Sequence, residues 1–411
     1  MREQSTFAVV GAGVIGAAVA FALAREGRRV LIFDRAPPGE GGASYGNAGH
    51  VATELVEPLP SPALLFGFWR QLFAFGGVLD VPARRLAAFL PWAMRFARAA
   101  FRRRAHTELL APFVRPSGLA LLKLLEDAGR PDLIRQHGHY EVWMKGNATE
   151  RARAHALAME KLQVPTAPAP VEVLDRVRQA ARAERIAGLW FPNGAHVLDP
   201  LAVVHAFVEA ARRRGAEFRQ HEVRSLRAHG EGCELDTSAG TVHVDAAVVC
   251  AGAWSAPLLE PLGFKVPLEA ARGYHVQSAS VTPLADTPLV YSDQNIVVTP
   301  MDGRVRASSF MEFAGTAGPF DERKPAWLRT TLRSLGYEFE PRCASWVGPR
   351  SVLPDYLPAI GRARSAPWLY YAFAHQHIGL TLSGITANAV ADLAAGRARP
   401  DLAGFDLRRF G

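Results

Sequence analysis

Cysteine is nearly absent: the three in 411 residues, Cys233, Cys250 and Cys343, lie far apart and form no CxxC pair. That argues against a disulfide framework and against a cysteine-ligated metal site, and it suits a reducing cytoplasm. Lysine is scarce too, at Lys123, Lys145, Lys161, Lys265 and Lys324 alone, so the net charge of +8 rests on arginine. No basic stripe interleaved with aromatics accompanies that charge, which leaves nucleic acid a minor reading. A long apolar run is also missing. The nearest candidate, Pro62 to Leu79, is interrupted by Arg70 and Gln71 and carries glycines. The first strand begins within a few residues of Met1, leaving no room for a leader peptide. What remains, 49% hydrophobic and 21% charged, is the composition of a globular enzyme with room for two domains.

The beginning of the chain is its richest part. An apolar run, Phe7 to Val10, meets Gly11-Ala12-Gly13-Val14-Ile15-Gly16, and a second, Val30 to Phe33, stops at Asp34. This reads as strand, turn, helix and strand with an acid at the tip. Gly11 permits the tight turn, Gly13 lets the backbone approach a pyrophosphate, and Gly16 lets the helix pack closely. Asp34 is placed to accept a ribose 2′-hydroxyl, so a dinucleotide without a 2′-phosphate is expected, and FAD and NAD both qualify.

Further on, Pro37 to Gly49 is a small-residue loop too long for a simple turn. Pro82 to Ala105 repeats apolar residues at helical spacing (Leu86, Phe89, Leu90, Ala93, Phe96, Ala97, Ala100, Phe101) with Pro91 as a kink and arginines on the other face. The spacing suits a helix facing the core with a solvated arginine face, which is the reading adopted, and as an alternative a basic amphipathic helix on an anionic membrane. Helices are predicted over Arg115 to Gly129 and Thr149 to Leu162, and Val164 to Pro170 as a connector. Asp199-Pro200 starts another helix, running to about Arg214. Strands are predicted at Glu217–His221, Cys233–Thr237, Thr241–Val244, Ala246–Cys250, Tyr274–Ser280, Asn295–Thr299 and Trp368–Ala374, and a last helix at Leu380–Ala395.

Taken together, the fingerprint with Asp34, Ser44-Tyr45-Gly46-Asn47-Ala48-Gly49, Val249-Cys250-Ala251-Gly252-Ala253-Trp254-Ser255, Gly348-Pro349-Arg350 through Pro358-Ala359-Ile360-Gly361, and His375-Gln376-His377-Ile378-Gly379-Leu380-Thr381 resemble the FAD-dependent D-amino acid oxidoreductases. That group holds D-amino acid oxidase, glycine oxidase and the small-subunit type of D-amino acid dehydrogenase. The resemblance spans nearly the whole chain and selects FAD, held non-covalently, over NAD. It implies an α/β fold of α+β, two-domain type: an FAD-binding Rossmann-type domain (residues 1–60, 195–265 and 345–411) with an interposed substrate domain of antiparallel sheet and helices (61–194 and 266–344). Cofactor contacts are then expected from Gly11, Gly13, Val14, Ile15, Gly16, Asp34, Arg35, Ser44, Asn47, Ala48, Gly49, Val223, Ala251, Gly252, Trp254, His377, Ile378, Gly379, Leu380 and Thr381. The N-terminus of the last helix would stabilise negative charge on the reduced flavin.

By the same resemblance, Arg350 clamps the substrate carboxylate through two parallel hydrogen bonds, with a structural salt bridge to Asp355 as the alternative role. Tyr274 stands where an aromatic hydroxyl approaches the substrate, or is a core tyrosine. His375 and Gln376 complete the catalytic candidates; His50 and Glu312 are weaker ones, and no metal is expected because His375-x-His377 has no third ligand. Ala374-His375-Gln376 replaces the dehydrogenases' Gly-His-Gly, and Arg350-Ser351 their Arg-Pro. These departures, and the His-Gln-His-Ile-Gly-Leu-Thr-Leu run, point toward members acting on D-hydroxyproline or related cyclic amino acids. The implied reaction is oxidative deamination, with hydride passing from Cα to flavin N5 to give an imino acid. Alternatives are an oxidase of a sarcosine- or glycine-like amine, a membrane-docked FAD electron-transfer subunit, and an NAD-binding regulatory module. The expected partner is a small amino acid, with quinone, membrane or subunit contacts as further readings. The expected place is the cytoplasm or the inner face of the membrane.

Overall fold

The computed structural model describes residues 5–411. Its first unit follows from alternating apolar residues. In strand β1 (Thr6–Val10), Phe7 and Val9 face one side of a sheet while Ala8 and Val10 face the other, and in β2 (Arg29–Phe33) Val30 and Ile32 part from Leu31 and Phe33 in the same way. Apolar residues on both faces mark a sheet covered on both sides. Helix α1 (Val14–Arg25) joins the two strands, thin with alanine and ended by Gly27 at φ +78°.

The sheet runs Glu217–Arg219, β2, β1, β3 (Ala246–Val249), β7 (Leu369–Phe373) and Ala359–Arg362; every pairing is parallel but the last. On one face α1 packs against α3 (Pro200–Arg212) and α4 (Gly379–Ala394). Asp199 starts α3 as its residue pattern predicts, its carboxylate accepting from the Leu201 N–H at 2.8 Å. The other face is covered by the three-stranded meander Val223–His229, Gly232–Thr237 and Gly240–Val244, whose Leu226, Cys233 and Leu235 are buried against Val10 and Phe33.

A second sheet, mostly antiparallel, is built around β4 (Glu269–Ser278), which lies between β5 (Arg304–Glu312) and β6 (Ala344–Val352). It extends through Ile296–Met301 and Leu289–Tyr291 to His139–Trp143 and Ala187–Phe191. The register of β4 on β5 shifts between Arg272 and Tyr274, and Phe310 opposite takes φ +72°, a left-handed value that non-glycine residues rarely adopt.

Two expectations change. The connector predicted at Val164 to Pro170 contains the two-residue strand Ala167–Pro168 and leads into a further helix, Val171–Ala180. The amphipathic segment is two helices, α2 (Leu86–Ala100) with Pro91 inside it, then Arg103–Val114. On α2 only Trp92, Ala99 and Ala100 are buried, while Leu86, Leu90 and Phe101 just beyond it are exposed. Most of its apolar stripe, Leu86, Phe89, Leu90, Ala93 and Phe96, lines an open cavity instead of a closed core. No helix among the described residues is long and apolar enough to cross a membrane.

Candidate active site

Both sheets open onto one cavity of about 1520 Å³, which runs from Asp34 at the tip of β2 to Arg350 on β6. At the Asp34 end, Gly11 holds φ +108°, and a Cβ there would stand 2.5 Å from the Cys250 carbonyl oxygen. A Cβ on Gly16 would meet the Gly11 carbonyl oxygen at 1.8 Å, so this glycine closes the turn on itself. Asp34 braces that turn by accepting from the Ala12 N–H at 2.7 Å and the Ala36 N–H at 3.0 Å. A carboxylate has about four acceptor positions, so it can also take a ribose hydroxyl. The Arg35 guanidinium lies 4.1 Å from the Trp254 ring centre, making a flat wall at this end.

Ser44 has a part the sequence does not reveal: its hydroxyl accepts from the Val14 N–H at 2.9 Å, at the start of α1. Asn47 folds its own loop, its side-chain oxygen accepting from the Gly49 N–H at 2.8 Å. Two residues missed in the sequence hold that loop from the second sheet. Arg306 donates to the Asn47 carbonyl at 2.5 Å, and Trp346 packs so tightly that a Cβ on Gly46 would stand 1.9 Å from its ring. Both lie on strands distant in sequence, and no local motif marks them.

Arg350 crosses the strand beside its own. A Cβ on Gly273 of β4 would fall 2.0 Å from its Nη2, so the side chain lies where only glycine leaves room. Nη1 donates to the Phe310 carbonyl at 2.9 Å, the same residue whose backbone is left-handed. No carboxylate among the described residues pairs with Arg350. Asp355 pairs with Arg409 at 2.6 Å instead, which removes the structural salt bridge considered for it. Burial pushes the Arg350 guanidinium below its ordinary range, the mark of a cation short of counter-charge.

Replacing Gly273 with alanine tests this packing. The far end of an arginine can move, so the protein should fold and keep its cofactor, while the displaced guanidinium raises the KM for an amino-acid substrate by about tenfold or more. An unchanged KM in steady-state kinetics would show that Arg350 is not placed by Gly273.

The loop before α4 forms the cavity's other wall. Ala374 and Gln376 adopt φ +59° and +48°, and the Gln376 N–H is fixed by the Ser351 carbonyl at 3.1 Å. The Gln376 Nε2 is buried without a partner. His375 is bound to the Thr386 hydroxyl at 3.0 Å, and burial lowers it to about 3. His377 lines the cavity, lowered to about 4 by burial and then by Arg350. Both imidazoles are neutral at physiological pH. Among the described residues no side chain caps α4, and its first residues, Gly379 and Leu380, line the cavity.

Of the other sequence candidates, Gly13, Val14, Ile15, Ala48, Val223, Ala251, Gly252, Gly379 and Leu380 line the cavity. Gly16, Gly49, Ile378 and Thr381 sit behind its wall; the Thr381 hydroxyl accepts from the Ala52 N–H at 3.0 Å. Tyr274 is not brought to the cavity. It is 1% exposed, and its hydroxyl bonds Glu312 at 3.1 Å within a network of Arg272, Glu312 and Lys324. His50 lines the cavity with Glu54, whose Oε1 lies 3.9 Å from His50 Nε2 and 3.6 Å from His139 Nε2. Burial raises Glu54 to about 8.

The glycine turn, the uncapped start of α4 and a cavity reaching from an acid to a guanidinium unpaired among the described residues fit a dinucleotide with a flavin at the far end. The family model described as FAD dependent oxidoreductase matches residues 6–393. A D-amino-acid oxidase from Bradyrhizobium diazoefficiens is 30% identical over 432 residues, covering 100% of both chains. A D-amino acid dehydrogenase from Paramagnetospirillum magneticum is 30% identical, covering 95% of this chain and 94% of its own. Among solved structures, glycine oxidase from Geobacillus kaustophilus aligns with a TM-score of 0.74 at 23% identity, covering 98% of this chain and 99% of that one. L-proline dehydrogenase from P. horikoshii aligns at 0.71 and 16% identity, covering 100% and 98%. At such identities the structural likenesses show the fold alone.

Proposed function

This chain belongs to the FAD dependent oxidoreductase family and is an FAD-dependent amino-acid oxidoreductase, and from that premise we propose that it oxidises D-amino acids held by Arg350. The observation that carries the reading is a cavity-lining guanidinium without a carboxylate partner among the described residues. A substrate carboxylate supplies the missing charge through bonds that also fix its orientation. The walls around Arg350 are apolar and aromatic, including Phe89, Trp92, Phe310, Met311 and Phe313. They favour a compact apolar side chain, which the D-proline ring supplies; D-hydroxyproline adds a hydroxyl that needs a polar partner.

We assign the remaining roles as follows. The Gly11 to Gly16 turn, Asp34, Arg35 and Trp254 hold the adenosine half of FAD, and the start of α4 meets its flavin end. Bound FAD accepts the two electrons of the oxidation. Arg350 and the neutral His377 place no negative charge beside the substrate nitrogen, so the amine is favoured in its neutral form, whose lone pair drives loss of hydride from Cα. Residues 1–60, 195–265 and 345–411 form the cofactor part, and 61–194 with 266–344 the substrate part; β6 is shared, because it pairs with β4 along its length.

Product analysis separates the substrate classes. A primary D-amino acid yields an imine that water hydrolyses, releasing one ammonia per turnover, whereas a proline-type substrate keeps its nitrogen in the ring and releases none. Faster turnover of D-proline than of D-alanine, without ammonia, supports the cyclic reading; turnover confined to glycine or sarcosine would replace it with the sarcosine- or glycine-like amine alternative.

A further inference from the structure

Large apolar residues on a monomer's surface are usually scattered singly, and a contiguous patch marks an interaction site. Here those turned away from the cavity gather in one stretch: Phe66, Trp69, Phe75 and Phe101 are exposed by 48% to 81%. The short helix Pro62–Gly67 packs against α2, and Trp69 meets Phe75 edge to face at 6.3 Å, so these side chains share one surface.

The charge around the patch has one sign. Arg70, Arg84, Arg95, Arg98 and Arg102 are exposed and none pairs with a carboxylate among the described residues, whereas Arg85 and Arg103 are engaged by Glu269 and Glu57. Arg70 lies 5.0 Å from the Trp69 ring centre. Between Pro58 and Thr107 the sequence has a single acid, Asp80, and Lys324 binds it at 2.7 Å. A second copy of the chain is a poor occupant, because a two-fold contact would set these arginines against themselves. An acidic bilayer suits both features: aromatic rings settle at headgroup depth while arginine stems bury and their guanidinium groups reach phosphates.

We propose that the surface formed by residues 62–102 docks the enzyme on an anionic lipid bilayer. The same elements wall the cavity from within, through Leu64, Leu65, Phe68, Leu86 and Leu90. Docking therefore sets the outer wall of the catalytic cavity against lipid, and substrate must enter from the side away from it or along the interface.

The test is co-sedimentation of the FAD-loaded protein with vesicles of phosphatidylcholine alone or with about one third phosphatidylglycerol. Binding is expected to the mixed vesicles, and at least tenfold weaker to neutral ones or in high salt. The triple variant F66S/F75S/F101S, whose residues do not line the cavity, should lose vesicle binding while FAD content and turnover of a soluble substrate stay unchanged. R95Q/R98Q should weaken binding about tenfold. Equal affinity for both vesicle types, no affinity for either, or unaltered binding of the triple variant would overturn the proposal. So would a concentration-dependent dimer in light scattering that the triple variant abolishes, since the occupant would then be a second copy.

Discussion

Arg350→Met is expected to lower kcat/KM for the amino-acid substrate by about 10² to 10³-fold while FAD content stays at one per chain. Removing one member of a buried, hydrogen-bonded charge pair costs about 2–5 kcal/mol, and each 1.4 kcal/mol is a factor of ten. Arg350→Lys keeps the charge but loses the planar pair of donors, and the shorter ammonium cannot also hold the Phe310 carbonyl. A loss of about 10 to 100-fold, mostly in KM, is expected there. The stability of these variants separates a substrate clamp from a structural cation. With no carboxylate partner among the described residues, a buried guanidinium is destabilising on its own, so Arg350→Met should hold or raise the melting temperature. A variant that melts much lower, with activity lost in proportion to unfolded protein, would assign Arg350 a structural role instead.

Stability should fall steeply as pH drops from about 6.5 toward 5. Burial holds His50, His275 and His375 near 3, and His196 and His377 near 4, and it takes His139 well below its ordinary value. These imidazoles stay neutral in the folded chain, whereas the unfolded chain takes up protons near 6.5. The unfolded state thus binds more protons below that pH. The stability these groups contribute is complete above 6.5 and is lost on acidification at about 1.4 kcal/mol per pH unit for each group. Three of them suffice to remove about 6 kcal/mol by pH 5, comparable with the whole stability of many domains. Glu54 works in the opposite sense: raised to about 8, its neutral form favours folding most below 4.5 and progressively less up to 8. Thermal melts of the holoprotein from pH 5 to 8 should rise steeply up to 6.5, and Glu54→Gln should steepen that rise and flatten the decline on the alkaline side. A melting temperature constant between pH 5 and 6.5 would mean that these histidines are more hydrated than the structure places them.

The cofactor end was legible because its signals are local. Glycine spacing, the acid after β2 and the Asp199 cap each act within a few residues of chain, and the structure puts strands and helices where those patterns predict. Arg350 was legible through a motif, but its setting was not: the room it occupies comes from Gly273 and its anchor from Phe310, both across strand pairings. Tyr274 shows the same limit from the other side. Sequence alternation cannot reveal the register shift between Arg272 and Tyr274, which decides what each side chain on β4 meets, and here the tyrosine joins Glu312 in the core. Arg306 and Trp346 brace the Ser44 to Gly49 loop from distant strands, so only the folded chain identifies them. The α2 stripe was ambiguous because the same periodicity serves a core or a lipid surface, and only the folded chain turns most of it to the cavity.

Anaerobic mixing of the holoprotein with D- and L-enantiomers of proline and alanine, followed by flavin absorbance, tests the central claim most directly. The account predicts that a D-enantiomer bleaches the flavin, that its L-counterpart is at least tenfold slower, and that Arg350→Met slows bleaching without changing the spectrum of the oxidised protein. Flavin that dithionite reduces but no D-amino acid bleaches would contradict it.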